Sequence, residues 1–196
     1  MTIPAKNLNN RYTFKDYQGW PDDERWEIID GRAYCMTPAP TLRHQRILGM
    51  LHVRLEENFR GTPCVPFVAP VDVVFDDYNI VQPDIVVVCD KSKLTEANVQ
   101  GAPDLVVEII SPSTSLKDRR EKKALYERAG VREYLLVYPL EDILERYRLV
   151  GNRYEGPDLF NWDETLTFHA FPELTLNLWE IFEKSLPSEK NEPTAN

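Results

Sequence analysis

Three side chains, distant in the chain, carry types that could act together: Asp84, Glu108 and Lys122. Glu108 interrupts the apolar run DLVVEII, where an unpaired charge is costly to bury. Asp84 follows Pro83 at the mouth of a second apolar run, IVVV. Lys122 lies in the polar segment beyond Glu108. Two acids and a lysine gathered in one dry pocket suit metal-dependent hydrolysis of a phosphodiester. The carboxylates would ligate a hard cation, and the ammonium group would steady charge developing on the phosphate.

The spacing of residues decides which acid and which lysine to choose. Two-residue alternation puts Asp104, Val106, Glu108 and Ile110 on one face of a strand, so Glu108 has apolar neighbours on its own side. Asp104 sits about 13 Å from Glu108 at ~3.3 Å per residue, too far to share an ion, and is read as a strand-entry cap. Beyond the strand, residues 122, 125, 126 and 129 share one helix face: Lys122, Leu125, Tyr126 and Ala129. Lys123 shares its stripe with Arg119 and Glu127, a solvated face. Lys122 is therefore the basic residue aimed at the sheet, whereas most of KDRREKK reads as wet helix surface.

The elements that must position these residues follow from pattern. ERWEIIDGRAYCM predicts a strand pair turning at Asp30-Gly31. A helix is expected from about Leu42 to Phe59, with Ile47, Leu48, Leu51 and Leu55 as its apolar stripe and His44 on the same face. His44 is read as a core histidine. VDVVF and IVQPDIVVV, about the turn DDYN, predict a hairpin or strand pair rich in β-branched residues. After strand DLVVEII, residues 111–115 (SPSTS) offer N-caps for a helix over about 116–129, with Gly130 as its C-cap. EYLLVY is a further buried strand. ILERYRLV-GN-RYE predicts a hairpin, followed by LTFHAF and a short helix NLWEIFEK. Residues 1–10 read as a loose lead-in, 11–183 as one domain, and 184–196 as a disordered tail of low apolar content. The expected class is α/β, a mixed sheet with flanking helices, an N-terminal hairpin and a β-rich C-terminal extension.

The whole chain carries a net charge of −9 over 196 residues, which argues against a simple nucleic-acid coat protein. The distribution is uneven. Residues 151–196 hold three basic and nine acidic side chains, whereas 117–132 hold seven basic and three acidic. A local basic cluster can serve binding despite the global charge. No run of 18 or more apolar residues exists, and the N-terminus lacks the apolar core of a secretory signal, so a cytoplasmic protein without membrane contact is expected. Cys35, Cys64 and Cys89, odd in number and without CxxC spacing, read as reduced thiols. Neither HExxH, a Gly-rich phosphate loop nor GxSxG is present.

WEIIDG, the pair His44-Gln45, PDIVVV and PDLVVEIISPSTSLKDRREKKALYERAGVREYLLVYP together resemble the Uma-type restriction endonuclease family of the PD-(D/E)xK nuclease superfamily, over about Tyr12 to Phe182. The resemblance implies a restriction-endonuclease-like core, with Asp84 as the acid of the PD element and Glu108 as the acid of E-x-K. Ile110 stands where that pattern has lysine, and the matching lysine is Lys122 on the following helix. It further implies one Mg²⁺, with Mn²⁺ able to substitute, held by Asp84, Glu108 and the main-chain carbonyl of Ile109. Glu27, Gln45 and Tyr126 are supporting candidates. DNA is the expected substrate and a homodimer the expected assembly, by analogy with enzymes that cut both strands. Asp84→Ala and Lys122→Ala are expected to abolish cleavage with the fold intact. Two other readings remain open: a nuclease fold that binds nucleic acid or protein without cutting, and a structural scaffold in which Glu108 is a buried ion-pair partner.

Overall fold

The computed structural model of the chain describes residues 10–21, 23–36, 39–111 and 117–186. In chain order the elements are α1 (Phe14–Tyr17), β1 (Trp26–Ile29), β2 (Arg32–Cys35), α2 (Leu42–Phe59), β3 (Val65–Val68), β4 (Asp72–Asp76), β5 (Asn79–Val81), β6 (Ile85–Val88), β7 (Asn98–Gln100) and β8 (Leu105–Ile109). A π-helical turn, Asp118–Lys122, leads into α3 (Lys123–Ala129). Then come β9 (Glu133–Tyr138), β10 (Ile143–Val150), β11 (Arg153–Asn161), β12 (Thr165–Thr167), β13 (Thr175–Asn177) and α4 (Leu178–Ile181).

The strands form a six-stranded sheet, ordered β11-β10-β9-β8-β6-β3, a five-stranded sheet, β2-β1-β5-β4-β7, and a small β12-β13 pair. In the six-stranded sheet only β8 and β9 run parallel, joined through α3, and the other pairs are antiparallel. Alternation along β8 sends Leu105, Val107 and Ile109 to one face, where Ile47, Leu51, Leu55 and Phe59 of α2 pack. Each of those fully buried side chains contributes roughly 1.5–3 kcal/mol of apolar burial. Val106 turns to the opposite face, against Leu125 and Tyr126 of α3, together with Val86 and Val88 of β6. Glu108, two residues on from Val106, belongs to that second face.

The mixed α/β class and the order of the principal elements match the expectation. One run is divided differently. IVQPDIVVV, anticipated as one arm of a hairpin or strand pair about DDYN, splits at Gln82–Asp84: β5 pairs with β4 in the five-stranded sheet and β6 belongs to the six-stranded one. Pro83 has no N–H to continue the ladder, so the chain changes sheets there and presents Asp84 at the entry to β6. The Asp30-Gly31 turn forms with φ of 52° and 79°, backbone that glycine adopts without cost. Gly130 ends α3 at φ 88°.

The SPSTS capping segment lies mostly outside the described residues, as do the first nine residues and the tail from 187. The expectation of three reduced thiols is corrected, because Cys64 and Cys89 form a disulfide, of which Cys35 is no part. The two stand one position beyond the Val65–Val88 pair of antiparallel β3 and β6, so they face each other across the ladder. No helix among the described residues is long and apolar enough to cross a membrane.

Candidate active site

The β6–β8 register pairs Ile85 with Val107, so Asp84 stands across the ladder from Glu108. Asp84 Oδ2 accepts a hydrogen bond from the Ile109 N–H (2.8 Å). The same oxygen lies 3.3 Å from His44 Nε2, in the first turn of α2. Glu108, only 4% exposed, takes its hydrogen bonds on Oε1: one from Lys122 Nζ (2.8 Å) and one from the Tyr126 hydroxyl (2.8 Å). Lys122 Nζ is also 2.8 Å from Glu27 Oε1 and 3.6 Å from Asp118 Oδ1. Glu27 is fully buried; its Oε2 accepts from Lys117 Nζ and its Oε1 from the Gln82 N–H (3.0 Å).

The positions 84, 108 and 122 therefore converge, and Glu27 and Tyr126 join them. Gln45 does not. It is exposed on α2, about a 100° helical step from His44, and it is His44 that reaches Asp84. Three participants were not foreseen: His44, Lys117 and Asp118. His44 was visible on the apolar stripe of α2, but its partner is set by β6 and leaves no trace in local spacing. Lys117 belongs to a charge run that looks like solvated helix surface. Asp118 and Lys122 share the π-helical turn, and both are below 3% exposure.

Electrostatics distinguishes the acids. Burial pushes the Glu108 carboxyl up to about 8, against the pull of Lys122, with Asp118, Asp84 and Glu27 adding repulsion. Burial also acts on Glu27, yet Lys122 and Lys117 outweigh it and hold that carboxyl below its usual range. Lys122 loses solvation by burial, but Glu108, Glu27 and Asp118 keep its ammonium well above the ordinary lysine value. Four carboxyl groups (Asp84, Glu108, Glu27, Asp118) thus face two ammonium groups (Lys122, Lys117). Acids outnumber bases in the cluster among the described residues, and the proton that Glu108 keeps up to about 8 is one a bound cation would displace.

A Mg²⁺ site can be tested against that donor set. Among the described residues no three His, Cys, Asp or Glu side chains form a ready-made cage. Mg²⁺ does not require one, because it gives up water reluctantly and is held by one or two carboxylates together with waters and substrate phosphate. Glu108 Oε2 and Asp84 Oδ1 accept no hydrogen bond among the described residues, while the other oxygen of each is anchored. Hard oxygen donors from two acids facing each other across the ladder, in a cluster where acids outnumber bases among the described residues, fit the ion. The ion pairing of Glu108 alone would equally suit a structural role; the second acid, Asp84, set opposite it across the ladder is what separates the two.

A mixed sheet carrying paired acids across β6 and β8, with a lysine from the crossover helix, defines a restriction-endonuclease-like protein. The chain belongs to the Uma2 family, described as "Putative restriction endonuclease", whose sequence pattern matches residues 14–178. It is 29% identical over 127 residues to "Uncharacterized protein slr1290" of Synechocystis sp., covering 63% of this chain and 66% of that one, a little under two thirds of the relative's length. A crystal structure of a "putative nuclease belonging to DUF820" from Anabaena variabilis shares the fold. Its TM-score is 0.72 at 22% identity, over 87% of this chain and 97% of that one.

Proposed function

We propose that the protein is a Mg²⁺-dependent endonuclease that hydrolyses phosphodiester bonds of DNA, with Mn²⁺ able to replace Mg²⁺. The observation that carries this reading is the placement of Asp84 and Glu108 opposite each other across β6 and β8, with Lys122 2.8 Å from Glu108. Asp84, Glu108 and the main-chain carbonyl of Ile109 would hold the ion. Bound there, Mg²⁺ supplies Lewis-acid polarisation of the phosphate and acidifies a water.

The side chains do the rest. Lys122 orients the attacking water and offers protons to charge growing on the phosphate oxygens. Tyr126 fixes Glu108 Oε1 and so leaves Oε2 for the ion. Glu27, itself held by Lys117 and the Gln82 N–H, keeps the ammonium of Lys122 in place. The Ile109 N–H and His44 lock the carboxylate of Asp84. A homodimer would place two such centres on opposite strands of a duplex.

The test is cleavage of supercoiled plasmid with Mg²⁺, Mn²⁺ or EDTA, using the parent chain, Asp84→Asn and Glu108→Gln. Metal-dependent nicking by the parent and none by either variant is expected. Cleavage that persists in EDTA or in both variants refutes the assignment. Binding without cleavage by a well-folded parent would favour the non-cutting reading.

A further inference from the structure

Beside the acidic cluster lies a second feature that the proposed reaction does not use. A cavity of about 500 Å³ opens between α1, the segment leading to β1, and the ends of β4, β5 and β7. Ligand pockets fall in the range of roughly 300–1,000 Å³. Its walls include the rings of Phe14, Tyr17 and Trp20. Tyr17 and Trp20 pack edge to face at 5.6 Å, and Trp20 meets Trp26 behind them at 5.8 Å, so these rings are braced. Gln82 is equally fixed: its Oε1 accepts from Arg25 (3.0 and 3.1 Å), and its Nε2 donates to Asp72 (2.8 Å) and the Tyr17 hydroxyl (3.2 Å). Asn98, also on the wall, accepts on Oδ1 from Thr95 and Gln100, and its NH₂ donates to no group among the described residues.

The charge of this cavity selects its ligand. Two acids, Glu24 and Asp72, line it against one base, Arg25. A phosphate is therefore disfavoured, whereas a flat, uncharged heterocycle finds aromatic faces and amide groups. Location narrows it further. Gln82 precedes Asp84 by two residues, about 7 Å of extended chain. Pro70, on the cavity wall, follows Ala69, whose N–H donates to the Asp84 carbonyl (3.0 Å). Gln82 also gives its own N–H to Glu27, the anchor of Lys122. Gln82 thus joins the cavity to the acid cluster.

We infer that this cavity receives a nucleobase of the substrate, unstacked beside the bond to be cut; the inference rests on the nuclease reading for its ligand class. It makes the preferred substrate one with an unpaired base, a single strand or a frayed or distorted duplex, because extruding a paired base costs free energy.

The experiment is binding of a short single-stranded deoxyoligonucleotide in EDTA, where no metal-dependent cleavage occurs, followed by Trp fluorescence with Trp20→Phe as the control. Quenching that Trp20→Phe largely removes is expected. An otherwise identical oligonucleotide with abasic positions should bind roughly tenfold more weakly, the worth of one stacked base. Ala97→Phe, which fills the cavity from its exposed rim, should weaken the base-containing oligonucleotide by a similar factor and leave the Mg²⁺-induced thermal shift unchanged. Equal affinity for the abasic oligonucleotide, or undiminished binding by folded Ala97→Phe, overturns the inference. Should Ala97→Phe not fold, the abasic comparison on the parent chain decides alone. Failure of the nuclease reading looks different: base-dependent binding with no Mg²⁺-dependent cutting, which leaves the cavity assignment standing.

Discussion

Lys122→Met is the perturbation that interrogates the cluster most directly. The ammonium group is 2% exposed and shared among Glu108, Glu27 and Asp118, so its removal leaves buried carboxylates short of their counter-charge. Breaking a buried ion pair from one side costs about 3–5 kcal/mol, a large part of the roughly 5–15 kcal/mol that holds a domain folded. For a chain of this size that is a fall of about 6–20 °C in melting temperature. The earlier expectation of an intact fold after losing Lys122 is thereby revised. Glu27→Gln in the same chain removes an orphaned charge, because Glu27, unlike Glu108, is held ionised in the parent, so the double variant should recover a substantial part of the loss, as contacting residues do in a double-mutant cycle. Metal binding should move the other way. With Lys122 gone the local charge is more negative, and Mg²⁺ should stabilise Lys122→Met more than it stabilises the parent, while cleavage is lost. Thermal melts in EDTA and in Mg²⁺, paired with plasmid cleavage, read all three. A melting temperature within a degree or two of the parent, or no gain from the second substitution, would refute the account of Lys122 as the buried hub.

Other outcomes follow from the same contacts. Asp84→Asn keeps an oxygen for the Ile109 N–H, so stability should change by about 1 kcal/mol or less, yet the Mg²⁺-induced shift in a melt should disappear. Tyr126→Phe removes one of two hydrogen bonds to Glu108 and should cost about 0.5–1.5 kcal/mol by urea denaturation at neutral pH. Glu108 also sets a pH dependence. Its folded-state value is raised to about 8, so folded protein retains a proton that unfolded chain has lost above about 4.5. In EDTA this group therefore erodes stability as pH rises through that window, by about 1.4 kcal/mol per unit at most, and the slope ends above 8. Saturating Mg²⁺ should flatten the slope, and Glu108→Gln should remove it; an EDTA profile unchanged by Glu108→Gln contradicts the assignment.

The site was legible in the sequence where a local rule governed it. Glu108 interrupts an apolar alternation, and Lys122 breaks an apolar helix face shared with Leu125 and Tyr126, so both announced themselves. Asp84 was marked by the proline before it. His44 and Lys117 were opaque for a physical reason: their partners, Asp84 and Glu27, lie on strands that only tertiary pairing brings near. The division of IVQPDIVVV between two sheets was opaque for a related one. Pro83 signals an interruption, but not where each half will find its hydrogen bonds. Gln45, named with His44 as a pair in the resemblance, lies about a 100° helical step from it, so of the two only His44 reaches Asp84.

The position of the lysine is the least expected feature and can be explained by the sheet itself. In the E-x-K pattern the lysine stands two residues after the acid, on the same strand and face. Here that position is Ile110, whose side chain packs with the α3-side core. An ammonium group at 110 would leave that packing and emerge from the strand's own end. Delivered from the crossover helix instead, it approaches Glu108 from above the sheet, at 2.8 Å, and is met by Glu27 from the neighbouring five-stranded sheet at the same distance. Asp118 and Lys122, an i,i+4 pair on the π-helical turn, both lie buried on that approach. Moving the lysine thus ties three elements, β8, the helix and β1, to one charge. Restoring the strand lysine in Ile110→Lys/Lys122→Met should recover charge balance but not that three-way anchoring. Its melting temperature should stay below the parent's even if some cleavage returns, and a double variant as stable as the parent would show that the helix lysine has no architectural role.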